Sequence, residues 1–178
     1  SWRGPFFGTA ALMAVALLAI LVVFRSPAPA AGAAAPAKVS FLASFRALRN
    51  PALLTLSLTA FFYNVAFFVL LAYSPYPIEE AAANVGMTFG AHELGLVFFG
   101  WGLAVALTSV LAAPVLTRRL GLRPVLFTML GLLAVAEAVL AIGIDSATVL
   151  IVTVIVAGLF LGVLNTALTE AVMEATDL

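Results

Sequence analysis

The stretch LGLVFFGWGLAVALTSVLAAPVLT, Leu94 to Thr117, carries no charge, and RRLGLR follows it from Arg118 to Arg123. A helix rises about 1.5 Å per residue and a bilayer's hydrocarbon core is about 30 Å thick, so about 20 apolar residues cross it. This stretch is long enough to cross, and it stops at a cluster of arginines. Four more runs of the same kind surround it: Pro5 to Phe24, a run within Pro51 to Ile78, Pro124 to Ile144, and Ser146 to Thr169. All are uncharged except Pro124 to Ile144, which holds Glu137. The expected spans are named A to E in chain order. Backbone polar groups cannot go unpaired in lipid, so runs of this length cross as helices. The short alternating segments of a membrane β-barrel are missing.

Composition agrees. Hydrophobic residues are 65% and charged residues 9% of the 178, against about 45–50% and about 25% in a typical soluble domain. That balance excludes a disordered chain, a nucleic-acid binder and an ordinary soluble enzyme. With no Cys, there is neither a disulfide nor a thiolate metal site. The expected class is an all-α, multi-pass membrane protein with five transmembrane helices, its main partner the lipid bilayer.

The basic residues suggest an orientation. Arg25, Lys38, Arg46 and Arg49 lie between A and B, and Arg118, Arg119 and Arg123 between C and D; of the eight, only Arg3 lies elsewhere. The positive-inside rule then selects an outside N-terminus and an inside C-terminus. Trp2, Tyr73 and Tyr76 fall near the outer interface, where amphipathic rings prefer to sit. Span A is too long for the apolar core of a signal peptide. An odd number of spans, an outside start and no initiator Met read as a piece of a longer chain.

Three segments are expected: 1–24 with span A, a linker over 25–50, and four packed helices over 51–178. The linker opens with the Pro- and Ala-rich RSPAPAAGAAAPAK and continues as VSFLASFRALR. Phe41, Leu42, Phe45 and Leu48 have helical spacing there, which fits a short amphipathic helix on the inner membrane surface or an extension of span B. Asn50-Pro51 is a helix start. The B–C connection, Ser74 to Glu93, carries Pro75, Pro77, Gly86 and Gly90 and is expected to be irregular. The short C–D and D–E turns make C, D and E antiparallel neighbours.

No phosphate loop, metal-ligand cluster or nucleophile–base spacing is present, so neither catalysis nor a cofactor is expected. His92 lies alone at the outer end of span C. Small residues form two stripes for close helix packing: Gly102, Ala106, Ser109 and Ala113 on C, and Gly158, Gly162, Thr166 and Thr169 or Glu170 on E. Polar groups at membrane depth point to function. Tyr63 and Asn64 lie mid-span among Phe61, Phe62, Phe67 and Phe68. An amide there must be paired or face water, so it serves either a cavity for amphipathic molecules or a helix–helix hydrogen bond. Asn165 and Glu170 lie in the inner half of E. Glu137 is an intramembrane carboxylate, a candidate proton site unless it reaches the headgroups.

Two stretches, Leu94 to Leu103 (LGLVFFGWGL) and Asn165 to Met173 (NTALTEAVM), resemble the major facilitator superfamily of secondary transporters, close to its drug–proton antiporters. Along nearly the whole chain, A resembles the sixth helix of that family, the linker its central cytoplasmic loop, and B to E its seventh to tenth helices. The family's glycine motif, G-x-x-x-D-R-x-G-R-R, is matched over Pro114 to Arg123 by Arg119, Gly121 and Arg123. Pro114, Arg118 and Leu122 depart from it. A latch that needs the acid is therefore not expected, and the stretch serves as a basic cytoplasmic turn.

The resemblance implies a cavity lined by B and E, with Tyr63, Asn64, Phe67, Phe68 and Asn165 as substrate residues, and D on the periphery. It implies proton-coupled efflux of small lipophilic compounds from the plasma membrane, with protons, a small-molecule substrate and the remaining helices of a full-length chain as partners. Uptake of a sugar or metabolite is the alternative within transport. A non-transporting membrane scaffold subunit is the alternative outside it.

Overall fold

A computed structural model describes residues 4–23, 45 and 47–176, and the chain divides into two compact units, residues 1–40 and 41–178. Trp2, Arg3, Arg25, Lys38, Arg46 and most of the expected surface helix lie outside the described residues. Five helical stretches among the described residues are long and apolar enough to cross a membrane. The described part of the first unit is one helix, α1 (Gly4–Val23). Its side chains from Phe6 onward are all exposed.

The second unit begins with α2 (Pro51–Tyr73). Asn50 caps it as expected: its Oδ1 accepts from the Ala52 N–H at 2.9 Å, and Pro51 fills the first position, where no backbone donor is needed. The B–C connection is irregular only over residues 85–90. Pro75 and Pro77 instead open a second helix, α3 (Pro75–Asn84), because a helix's first turn tolerates residues that lack a useful N–H. Buried Ser74 joins the two, donating to Leu70 and accepting from Ile78. Gly86, at φ +75°, closes α3, with Met87 N–H on the Ala82 carbonyl and Gly86 N–H on that of Ala83.

Span C is α4 (Ala91–Leu107), a wide π turn (Thr108–Ala112) and α5 (Ala113–Leu120). Within the turn, Ala113 N–H donates to the Thr108 carbonyl, five residues back. The turn sits directly before Pro114, whose ring cannot pack against the Val110 carbonyl in a regular α-turn. Gly121 alone separates α5 from α6 (Leu122–Ile142). Its φ of +84° and ψ of 156° lie where only glycine is comfortable. Gly121→Ala is therefore expected to cost about 1–3 kcal/mol, read as a lower apparent Tm of the detergent-purified full-length protein.

The last helix, α7 (Ala147–Thr176), runs well past the expected end at Thr169. It is the centre of the unit. Leu150, Val154, Ala157, Leu161 and Leu164 form its core stripe, against Leu70 of α2, Ile78 of α3, Val97 of α4 and Leu133 of α6. The expectation that C, D and E are mutual neighbours needs refining. Both α4 and α6 pack along α7, while C and D meet mainly through α5 and α6 near Gly121. A smaller cluster of Ala113, Val125, Val163 and Ala167 fills that end.

Candidate functional site

The polar groups of the unit gather on the second half of α7. Helical spacing carries Thr166, Thr169, Glu170 and Met173 down one side of it, next to Asn165. With Ser109 of the π turn and Glu174, they line an open groove of about 630 Å³. Every side-chain hydroxyl in the groove has a partner. Ser109 and Thr166 bond across the helix interface at 2.7 Å, Thr166 donates to the Gly162 carbonyl at 3.1 Å, and Thr169 donates to the Asn165 carbonyl at 2.8 Å. From α2, the Tyr63 hydroxyl donates to Oδ1 of Asn165 at 3.1 Å.

The five expected cavity residues fall into two groups. Tyr63 and Phe67, one helical turn apart, share the side of α2 that meets α4 and α7. Phe67 stacks on Trp101, with ring centroids 5.6 Å apart and planes at 25°. Asn64 and Phe68 lie elsewhere, because successive helical residues are turned by about 100°. They line a second, apolar groove of about 530 Å³ with Phe61, Val65 and Val69. Asn64 satisfies its own amide locally, its Nδ2 donating to the Ala60 carbonyl at 2.8 Å. The structure thus joins Tyr63 to Asn165 and leaves Asn64 and Phe68 apart from them.

Among the expected packing glycines, Gly158 and Gly162 sit in the tightest contact. A Cβ on Gly158 would lie 2.7 Å from the Trp101 carbonyl oxygen, and one on Gly162 would lie 3.0 Å from the Val105 Cα and press on its carbonyl and on Thr108. Beside Gly102 there is open space, and Ala106 is exposed. Facing α7 are Trp101 and Val105 of α4 and Thr108 of the π turn, so Gly158 and Gly162 make room for those larger groups.

Glu137 is half-buried on α6, beside buried Leu133 and Ala136, and its Oε1 is buried without a hydrogen-bond partner. One of its oxygens therefore lies within the helix packing and does not reach for headgroups. Arg118, Arg119, Gly121 and Arg123 are all exposed at the α5–α6 turn, and His92 is exposed on the first turn of α4. Among the described residues no group of three or more His, Asp or Glu could hold a metal ion. Met173, Glu174, the π turn and the Phe67–Trp101 stack are features that sequence reasoning missed. Only the first two had a signal, since they continue the helical spacing beyond Thr169.

No family model matches the chain, and no solved structure matches it. Over 174 residues, 97% of its length, the chain is 40% identical to the multidrug efflux protein YfmO of Bacillus subtilis (strain 168). It spans about 40% of that relative's length. A transporter-like relative and a helical membrane fold point away from an enzyme. With five membrane-length helices among the described residues, the chain is an integral, multi-pass membrane protein of the plasma membrane, and the likeness fits a partial transporter of the major facilitator type.

Proposed function

We propose that the chain is part of a major facilitator efflux permease that exports small lipophilic compounds in exchange for protons. Residues 1–24 supply the last helix of one bundle, 25–50 the central loop, and 51–178 the first four helices of the second bundle, with the basic turns in the cytoplasm. The observation that carries efflux is the 40% identity, across 97% of the chain, to a protein named for multidrug efflux. The groove around Asn165 supports a substrate path. It combines an amide, hydroxyls and carboxylates with Met173, and the aromatic rings of Tyr63 and Phe67 lie on the adjoining helix. Transport then proceeds by rocking two bundles about a midplane site. Glu137, a carboxylate inside the helix packing, is the proton-coupling residue in this scheme.

The test uses the full-length protein in a bacterium lacking its own drug pumps. Ethidium accumulation should fall on expression and recover when a protonophore collapses the gradient. Asn165→Ala and Phe67→Ala should each raise accumulation at least about threefold, because Asn165 lines the groove and Phe67, stacked on Trp101, anchors the side of α2 from which Tyr63 reaches it. Export that survives gradient collapse would exclude proton antiport. Export unchanged by Asn64→Ala, Phe67→Ala and Asn165→Ala together would favour a scaffold role.

A further inference from the structure

A side-chain amide has one acceptor oxygen and two N–H donors. In Asn165 the oxygen is engaged by the Tyr63 hydroxyl at 3.1 Å. Its Nδ2 has no partner among the described residues, and the side chain is exposed along the groove. The other donors around this groove can be counted. Ser109 and Thr166 share one hydrogen bond, Thr166 also bonds the Gly162 carbonyl, and Thr169 donates to the Asn165 carbonyl. Glu170 and Glu174, when ionised, only accept, and Met173 has no donor. Of the side-chain donor groups that line the groove, the NH2 of Asn165 is the one with no hydrogen bond among the described residues.

Tyr63 decides which way that NH2 faces. A hydroxyl that donates to Oδ1 holds the amide with its oxygen toward α2 and its nitrogen away. Phe67, one turn further along α2 and stacked on Trp101, anchors this side of the helix. The inter-helix bond therefore does more than join α2 to α7; it sets the polarity that the groove presents. We infer that Asn165 selects substrates bearing a hydrogen-bond acceptor, such as a carbonyl or ether oxygen, and that Tyr63 is the positioning residue that turns its NH2 into the groove. This rests on the reading of the groove as part of the substrate path.

The experiment measures equilibrium binding of 9-fluorenone and of fluorene to the purified full-length protein. The two compounds share their shape and differ in one carbonyl oxygen. A net hydrogen bond corresponds to about fivefold in affinity, so the native protein should bind the ketone about fivefold more tightly. Asn165→Asp keeps an acceptor for Tyr63 and loses the donors, and Tyr63→Phe removes the positioning bond. Both should erase the preference by weakening fluorenone, with fluorene changed less than about twofold. A native protein without preference overturns the inference. So does Tyr63→Phe with the preference intact while Asn165→Ala loses it, which would leave the groove as the binding site but without a positioning role for Tyr63. Equal weakening of both compounds in Tyr63→Phe would reduce the residue to a helix brace. Failure of both compounds to bind the native protein would overturn the groove reading itself.

Discussion

Gly162→Leu is expected to remove most of the folded full-length protein from the membrane, whereas Gly102→Ala is expected to leave its yield and Tm unchanged. The two glycines look alike in the sequence, but their surroundings differ. A Cβ at Gly162 meets the Val105 backbone, with its Cα at 3.0 Å, while nothing lies within 4 Å of one at Gly102. Backbone cannot rotate away as a side chain can, so relief requires α4 and α7 to separate. In lipid the helices are held by van der Waals contact at such close approaches, with little hydrophobic drive to compensate for their loss. Overpacking a tight core costs about 1–3 kcal/mol and sometimes more. Removing a helical glycine returns at most about 1 kcal/mol of propensity. The clash therefore wins even for Gly162→Ala, which should show an intermediate loss. Size-exclusion profiles of the fluorescently tagged protein, with apparent Tm values, would order the three variants. Equal profiles for Gly162→Leu and Gly102→Ala would show that α4 and α7 do not meet there.

The spans were legible because lipid leaves the backbone few options. An uncharged run of about 20 residues has to cross as a helix. Their ends were less legible, since hydropathy and hydrogen bonding end at different places. Span E loses its apolar character at Glu170, yet α7 continues to Thr176, because backbone bonds need no apolar side chain. Pro75 and Pro77 suggest an irregular connection in the sequence, yet they begin a helix. The site was legible in its parts. Tyr63 and Asn165 each stood out as polar groups at membrane depth. Their pairing across 102 residues, and the turn that sends Asn64 to another groove, depend on which side of α2 meets α7. The same dependence explains why Gly102 and Gly158 could not be told apart: spacing marks a stripe of small residues, and only the opposing helix gives it something to fit.

Glu137 offers the sharpest division between a structural and a functional role. A carboxylate oxygen buried without a partner works against folding, and an ionisable side chain at membrane depth adds about 2.5–3.5 kcal/mol on insertion scales. Glu137→Leu removes both costs and keeps a side chain of similar size at that position of α6. It should raise the stability of the full-length protein by about 1–3 kcal/mol, the size of the penalty for an unsatisfied buried polar group. A residue this costly is kept when function requires it. If Glu137 carries the coupling proton, Glu137→Leu and Glu137→Gln both lose the exchangeable proton. Ethidium uptake into inverted vesicles driven by an imposed proton gradient should then fall at least about tenfold in each. Ethidium binding should stay within about twofold, because Glu137 lines neither groove. Glutamine keeps a polar group in place and should gain less stability than leucine, so the two variants separate the stability effect from the proton effect. A leucine variant that is more stable and still pumps at the native rate would end the coupling assignment and leave Glu137 as an internal carboxylate that the fold merely tolerates.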